Sequence, residues 1–119
     1  MTQHHWAFNG LVGEPLGAAA IRKLLADLVR VIDMAAIAEP IVYIDGSGWR
    51  GLQLIAESHI SIHGQGRDCA VDVFSCRPFE PQHVLSCLAQ WMPGRWVGQW
   101  LERGLSGPRP ARTRLELVA

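Results

Sequence analysis

Apolar residues recur at helical spacing in two parts of the chain. In the first, from residue 17 to 35, they fall three or four residues apart, and most charged residues lie elsewhere on the helical wheel. These apolar positions are Ile21, Leu24, Leu25, Leu28 and Ile32. The second part, from 81 to 92, begins at Pro81 and is followed by Gly94, which are helix start and stop signals. The spacing therefore predicts two amphipathic helices, each with an apolar face to pack on a sheet.

Elsewhere, apolar and polar residues alternate with the period of a β-strand. The strand-like segments are 4–10, 41–44, 49–56, 57–63, 69–76 and 95–102. Turn sequences separate them, of which D-G-S-G at 45–48 and G-Q-G-R-D at 64–68 favour tight connections between strands. Within the strand 69–76, the alternation predicts that Asp72 and Cys76 share one face.

The predicted order of elements is β-α-β-β-β-β-α-β in a single domain, residues 1–119. Hairpin connections favour a mostly antiparallel sheet, and two helices on one face of it make an α+β fold, a two-layer α/β sandwich. If the other face exposes Trp49, Trp96 or Trp100, we expect a homodimer that packs sheet to sheet. Residues 106–119 show no core-forming pattern, and a mobile tail is expected there.

Composition and charge exclude several classes of function. The 11 basic and 11 acidic residues form no block of like charge, which argues against a nucleic-acid partner or an anionic membrane. Because the sequence has no signal-peptide pattern and no apolar run of bilayer-spanning length, we expect a cytoplasmic protein. Three cysteines without a C-x-x-C pair predict neither a disulfide framework nor a zinc site. A small molecule or another protein is the expected partner.

The stretch A-E-S-H-I-S-I-H-G at 56–64 places a carboxylate, two hydroxyls and two imidazoles on one predicted strand. On a strand, His59 and His63 lie roughly 13 Å apart at about 3.3 Å per residue, too far to bind one metal ion. A nucleophile-elbow pattern, G-x-S-x-G, is absent around Ser58, which argues against a Ser-His-acid hydrolase. From spacing alone, a strand with a solvated polar face is the simplest interpretation.

Two segments nevertheless resemble a known family. Residues 51–63, G-L-Q-L-I-A-E-S-H-I-S-I-H, and 70–76, A-V-D-V-F-S-C, closely resemble the proenzymes of the small prokaryotic S-adenosylmethionine decarboxylases. The flanking helices and L-E-R-G at 101–104 continue the resemblance more weakly. It implies a two-layer α/β sandwich assembled from two protomers. It also implies self-cleavage between Glu57 and Ser58 into a β chain, 1–57, and an α chain, 58–119.

The resemblance also implies a cofactor and a set of site residues. Ser58 would become a pyruvoyl group, which forms a Schiff base with the substrate in place of pyridoxal phosphate; no metal is expected. His63 would assist processing, Cys76 would return a proton to the substrate, and Glu57 would help to position it. Cys69 and Cys87 are better interpreted as buried apolar residues. The implied enzyme is a carboxy-lyase of polyamine biosynthesis, on the route to spermidine.

Three departures from the family pattern fall outside Glu57, Ser58, His63 and Cys76. Arg50 stands where the family has Ser or Thr, although Ser47 is close in sequence. Residues 43–49 lack the family's aromatic-x-Pro-x-Gly, and the loop 64–68 is shorter and lacks its aromatic and acidic members. Either Tyr43 or Trp49 would supply a stacking face for substrate, or both are core or interface aromatics.

The departures leave three hypotheses for the function. The first is decarboxylation of S-adenosylmethionine. The second keeps the mechanism but takes L-arginine or L-ornithine, with Asp45, Asp68 or Asp72 pairing with the basic side chain. The third is a regulatory homologue that does not cleave itself, for which Arg50 is the only support.

Overall fold

Two helices and seven strands make up the structure, a computed structural model that describes residues 3–103 and 109–119. The helices are α1 (Ala18–Val31) and α2 (Pro81–Trp91). The strands are β1 (His4–Val12), β2 (Ile41–Asp45), β3 (Gly48–Ile55), β4 (Ser58–Gln65), β5 (Asp68–Ser75), β6 (Gly94–Leu101) and β7 (Arg114–Val118). Neither helix within the described ranges is long and apolar enough to cross a membrane.

All seven strands form one antiparallel sheet in the order β2-β3-β4-β5-β1-β6-β7. We call the side against which α1 and α2 pack the helix face, and the other side the open face. Alternate strand residues are buried on the helix face, as with Ile60 and Ile62 on β4 and Val71 and Val73 on β5. The predicted α+β sandwich with both helices on one face is confirmed.

The helix ends follow from local chemistry. At the start of α2, the Glu80 side chain accepts a hydrogen bond from the Gln82 backbone N–H at 3.1 Å, and Pro81 occupies the first turn. α1 ends at Val31 rather than at the predicted residue 35, because Asp33 adopts a left-handed conformation with φ 55°. Both predicted helices are thus present, and only the end of the first was placed too late.

The expectation of a mobile tail over residues 106–119 is wrong for its last part. β7 pairs with the edge of β6, and Leu115, opposite Gly98, is only 6% exposed. Leu117 packs beside it, so two apolar side chains at alternate positions suffice to extend the sheet. Residues 104–108, which include the start of the predicted tail, lie outside the described residues.

The three tryptophans expected on the uncovered side of the sheet lie on the helix face instead. Trp49 is 4% exposed and Trp96 0%, and Trp100 is half-buried. The Trp96 indole N–H is satisfied by the Met92 carbonyl at 2.9 Å. Register places other apolar residues on the open face, of which the most exposed are Leu11, Ile41, Tyr43, Leu54 and Val118. The open face therefore still has an apolar surface, but residues other than the three tryptophans form it.

Candidate active site

The turn between β3 and β4 contains the peptide bond predicted to break. Ile55 and Ser58 are paired across the hairpin, so Ala56 and Glu57 alone form the turn. Glu57 has φ 64°, in the left-handed region that a residue with a Cβ adopts only at a cost of about 1–3 kcal/mol. Such strain is common where a backbone segment reacts. The exposed Glu57 carboxylate and half-buried Ser58 sit at the end of the sheet.

The structure brings Ser58 and Cys76 together. The Cys76 backbone N–H donates to Ser58 Oγ at 2.9 Å, which ties the residue after β5 to the first residue of β4. A cavity of ≈ 460 Å³ opens beside them, lined by Glu57, Cys76, Arg77 and the segment 33–35 after α1. Two of the three predicted catalytic residues thus share one site, and Glu57 lines it.

His63 does not reach this site within one chain. It lies five residues beyond Ser58 on β4, roughly 17 Å away at about 3.4 Å per residue. Because that number is odd, the His63 side chain also projects from the open face while Ser58 begins on the helix face. His63 is exposed, and its neighbours across the strands are Arg50 on β3 and Ala70 on β5.

Arg50 belongs to a hydrogen-bonded network that the sequence did not reveal. Its guanidinium donates to Ser47 Oγ at 2.6 Å and to Asp45 Oδ1 at 3.0 Å, and it lies 5.5 Å from the Tyr43 ring centroid. Ser47 Oγ also donates to Asp45 at 2.7 Å. Hydrogen bonds from Ser47 lower the pKa of Asp45, so this carboxylate is ionised at neutral pH. A hydroxyl is therefore present next to Arg50, across from His63.

The two aromatic residues considered for substrate stacking lie at the His63 end of the sheet. Trp49 is in the core, and its ring covers Gly64, where an added Cβ would stand 1.9 Å from the indole. Trp49 also lines a cavity of ≈ 460 Å³ next to the turn after β2, and its role in stacking on a substrate stays a prediction. Tyr43 is 58% exposed on the open face. Neither residue is near Ser58 of the same chain.

Asp72 lies on the open face and pairs with a histidine that sequence reasoning missed. Asp72 Oδ1 is 3.2 Å from His5 Nε2, and His5 packs edge-on against Phe74 with ring centroids 5.5 Å apart. His59 stacks on the same Phe74 ring at 5.6 Å. Only the pairing of β1 with β5 brings His5 here, so no local motif could have indicated it. Asp68, by contrast, is exposed at the start of β5.

The three thiols are in different environments. Cys69 and Cys87 are 3% and 7% exposed, as predicted for buried apolar cysteines, whereas Cys76 is half-buried and lines the cavity. Burial raises the pKa of Cys69 to about 12. Burial, with the Asp27 charge, raises the pKa of Cys87 to about 11. All three are free, and the described residues contain no cluster of ligands for a metal ion.

These differences predict selective alkylation. At pH 8, iodoacetamide should modify Cys76 in the folded protein and leave Cys69 and Cys87 unmodified, because buried protonated thiols are poor nucleophiles. Peptide mass mapping measures the outcome, and all three should react after unfolding in guanidinium chloride. Modification of Cys69 in the folded protein at the rate of Cys76 would contradict this assignment.

Comparison with known proteins shows which family the chain resembles. Residues 16–103 match the family model described as S-adenosylmethionine decarboxylase. Two curated relatives from type A strains of Clostridium botulinum, each named S-adenosylmethionine decarboxylase proenzyme, are 30% identical over 73 residues. That alignment covers 59% of this chain and 63% of each relative, so the chain matches less than two thirds of their length.

The match extends over most of the chain and includes the β3–β4 turn, Ser58 and Cys76. The chain belongs to the S-adenosylmethionine decarboxylase family.

Proposed function

We propose that this chain is a self-cleaving proenzyme that becomes a pyruvoyl-dependent decarboxylase of S-adenosylmethionine. Family membership supports the class of reaction. The observation that carries the proposal is the hydrogen bond between Cys76 N–H and Ser58 Oγ, directly after the left-handed Glu57. It holds the nucleophile of cleavage next to the acid required in catalysis.

Cleavage begins with attack of Ser58 Oγ on the carbonyl carbon of Glu57. The C–N bond breaks as the C–O bond forms, so the amide becomes an ester and the Ser58 nitrogen becomes a free amine. Relief of the strained Glu57 conformation favours this exchange. Removal of the Ser58 α-proton then expels the Glu57 carboxylate by β-elimination. Water replaces the nitrogen of the resulting dehydroalanine, ammonia leaves, and the pyruvoyl carbonyl remains.

Cys76 is placed to complete the decarboxylation. The pyruvoyl group supplies a carbonyl that binds the substrate amine covalently and accepts the electron pair released with carbon dioxide. Cys76 lies next to this position through its contact with Ser58 and donates the proton that returns to the substrate α-carbon. The new Glu57 carboxylate lines the same cavity and positions the substrate amine.

His63 contributes to processing from a second copy of the chain. Its separation of roughly 17 Å from Ser58 along β4 leaves no direct route within one protomer. The open face is partly apolar, because it exposes Leu11, Ile41, Tyr43, Leu54 and Val118. Such an exposed apolar face supports a homodimer packed sheet to sheet. In such a dimer, His63 with Arg50 and Ser47 of one protomer would approach the β3–β4 turn of the other, whose Glu57–Ser58 bond lies at the end of the sheet.

The second candidate keeps the mechanism and changes the substrate to L-arginine or L-ornithine. Asp72 favours it, since its carboxylate lies on the open face and, among the described residues, forms a side-chain hydrogen bond with His5 alone. A basic side chain would bind this carboxylate by a charge-assisted hydrogen bond.

Intact-mass measurement and product assays test the proposal. We expect two fragments, residues 1–57 and 58–119, with the second lacking a free amino terminus. S-adenosylmethionine labelled in its carboxyl group should release labelled carbon dioxide faster than labelled arginine or ornithine. A single uncut chain would contradict self-processing, and release from arginine or ornithine alone would support the second candidate.

A further inference from the structure

The cavity beside Ser58 and Cys76 contains a cation to which the proposed mechanism gives no role. Arg77 directly follows Cys76 and lines this cavity of ≈ 460 Å³ together with Glu57. Among the described residues that line it, Arg77 is the only positively charged one; the others are Asp33, Met34, Ala35, Ala56, Glu57 and Cys76. The charge that self-cleavage creates indicates a role for this guanidinium.

The backbone of Arg77 is held next to the first residue of β4. Its N–H donates to Ser75 Oγ at 3.0 Å, and Ser75 is fully buried at the end of β5. The preceding N–H, of Cys76, donates to Ser58 Oγ at 2.9 Å. Two successive amides thus tie this segment to β5 and to Ser58. The Arg77 side chain therefore starts from a fixed point, one residue away from the contact with Ser58.

The Arg77 guanidinium is free to change its partner. It lies 4.0 Å from Asp33 Oδ2, which is longer than a hydrogen bond, and the Arg77 and Asp33 side chains are 63% and 98% exposed. Exposed ion pairs of this kind contribute little to stability. The guanidinium can therefore turn towards another carboxylate in the cavity at little cost in free energy.

Self-cleavage creates such a carboxylate at Glu57. In the uncut chain and in the ester, the main-chain carbonyl of Glu57 is neutral. In the elimination, the Ser58 α-proton goes to a base, for which His63 is the candidate, a Cα–Cβ double bond forms and the Cβ–O bond breaks. The electron pair of that bond leaves with the Glu57 carboxylate, which acquires a full negative charge. A cation beside the departing oxygens stabilises this charge as it develops.

We propose that Arg77 is the counter-ion of the leaving carboxylate: it stabilises the main-chain carboxylate of Glu57 during the elimination and binds it after cleavage. This assignment rests on the proposed function. Two guanidinium N–H groups match the two carboxylate oxygens, whose other lone pairs stay available to the substrate amine. Arg77 thus fixes the new end of the β chain beside the pyruvoyl group.

Arg77→Ala should slow the elimination and let the preceding ester accumulate. After cell-free synthesis, we expect the ester to become the pyruvoyl chain about 10-fold more slowly than in the wild type. This is the lower end of the cost of losing a charged hydrogen bond, because the Arg77 side chain is mostly exposed to water. The ester has the mass of the uncut chain, but hydroxylamine cuts it. The fragment 58–119 that hydroxylamine releases should begin with an unmodified serine, which amino-terminal sequencing detects, whereas a pyruvoyl group blocks sequencing.

Two further variants show whether the positive charge is responsible. Arg77→Lys keeps a cation without the planar fork of arginine and should form the pyruvoyl chain only about 2- to 3-fold more slowly than the wild type. Arg30→Ala is the matched control, since Arg30 is also exposed and paired with an aspartate, Asp27, but lies on α1 outside the cavity. Its rate should stay within about twofold of the wild type.

Three results would overturn the role of Arg77. The first is equal rates in Arg77→Ala and Arg30→Ala. The second is equal slowing in Arg77→Lys and Arg77→Ala, because the proposed effect is that of a positive charge. The third is a slow Arg77→Ala chain without accumulated ester, since the arginine would then act before the elimination.

Failure of this assignment and failure of the proposed function give different results. A wild-type chain that forms neither ester nor fragments would contradict the proposed function and, with it, the role of Arg77. A wild-type chain that cleaves itself and decarboxylates S-adenosylmethionine, with Arg77→Ala equal to it in both reactions, would support the function and overturn the role of Arg77 alone.

Discussion

Ser58→Ala is expected to remain one chain of 119 residues and to release no carbon dioxide from S-adenosylmethionine above background. Alanine has no oxygen to attack the Glu57 carbonyl, so the ester cannot form and no pyruvoyl group arises. The structural cost should be small. The variant loses one hydrogen bond, from Cys76 N–H to Ser58 Oγ, worth about 1 kcal/mol. Denaturing electrophoresis, intact mass and thermal unfolding measure the three consequences.

Ser61→Ala is the matched control for this variant. Ser61 is also half-buried on β4, but it lies on the open face, three residues beyond Ser58. The Ser61→Ala chain should be cleaved between Glu57 and Ser58 like the wild type. Cleavage of Ser58→Ala at that bond would show that another nucleophile breaks it, and the proposed chemistry would then be wrong.

Much of the fold was predictable from hydrophobic periodicity, because α1 and α2 each bury a complete apolar stripe. The faces of the strands were harder to assign. On β3, Trp49, Gly51, Gln53 and Ile55 face the helices, whereas Arg50, Leu52 and Leu54 do not. Both sets contain apolar residues, so alternation alone does not say which is buried. β7 contains only five residues, and their alternation is too short a pattern to predict a strand.

The site residues that belong to a contiguous sequence motif were predictable. Those that only the pairing of distant strands brings together were not. Ser58 and Cys76 belong to the two segments that resemble the family, and β4–β5 pairing brings them into contact. The Arg50–Asp45–Ser47 network and the His5–Asp72 pair depend on side-chain conformation and on pairing of distant strands. The separation of His63 from Ser58 was available from the sequence, since five residues on a strand give both distance and opposite faces.

Co-expression of His63→Ala and Ser58→Ala chains is expected to restore cleavage that each variant lacks alone. A group that assists proton transfer contributes roughly 10²–10⁴-fold, so His63→Ala by itself should process at least about 100-fold more slowly than the wild type. In a mixed dimer, the His63→Ala chain supplies Ser58 and the Ser58→Ala chain supplies His63. One complete site forms, and only the His63→Ala chain is cut there. Distinct affinity tags and intact mass identify which chain is cleaved.

The outcome separates assistance between copies from assistance within one chain. If His63 acts on Ser58 of its own protomer through a rearrangement, neither chain in the mixture has both residues, and cleavage stays slow. His83→Ala mixed with Ser58→Ala controls for loss of a histidine as such, because His83 is exposed on α2 and away from both strands. That His83→Ala chain should be cleaved at the wild-type rate with or without its partner. Restored cleavage of the His63→Ala chain would require a shared site, because the only His63 in the mixed dimer belongs to the Ser58→Ala chain.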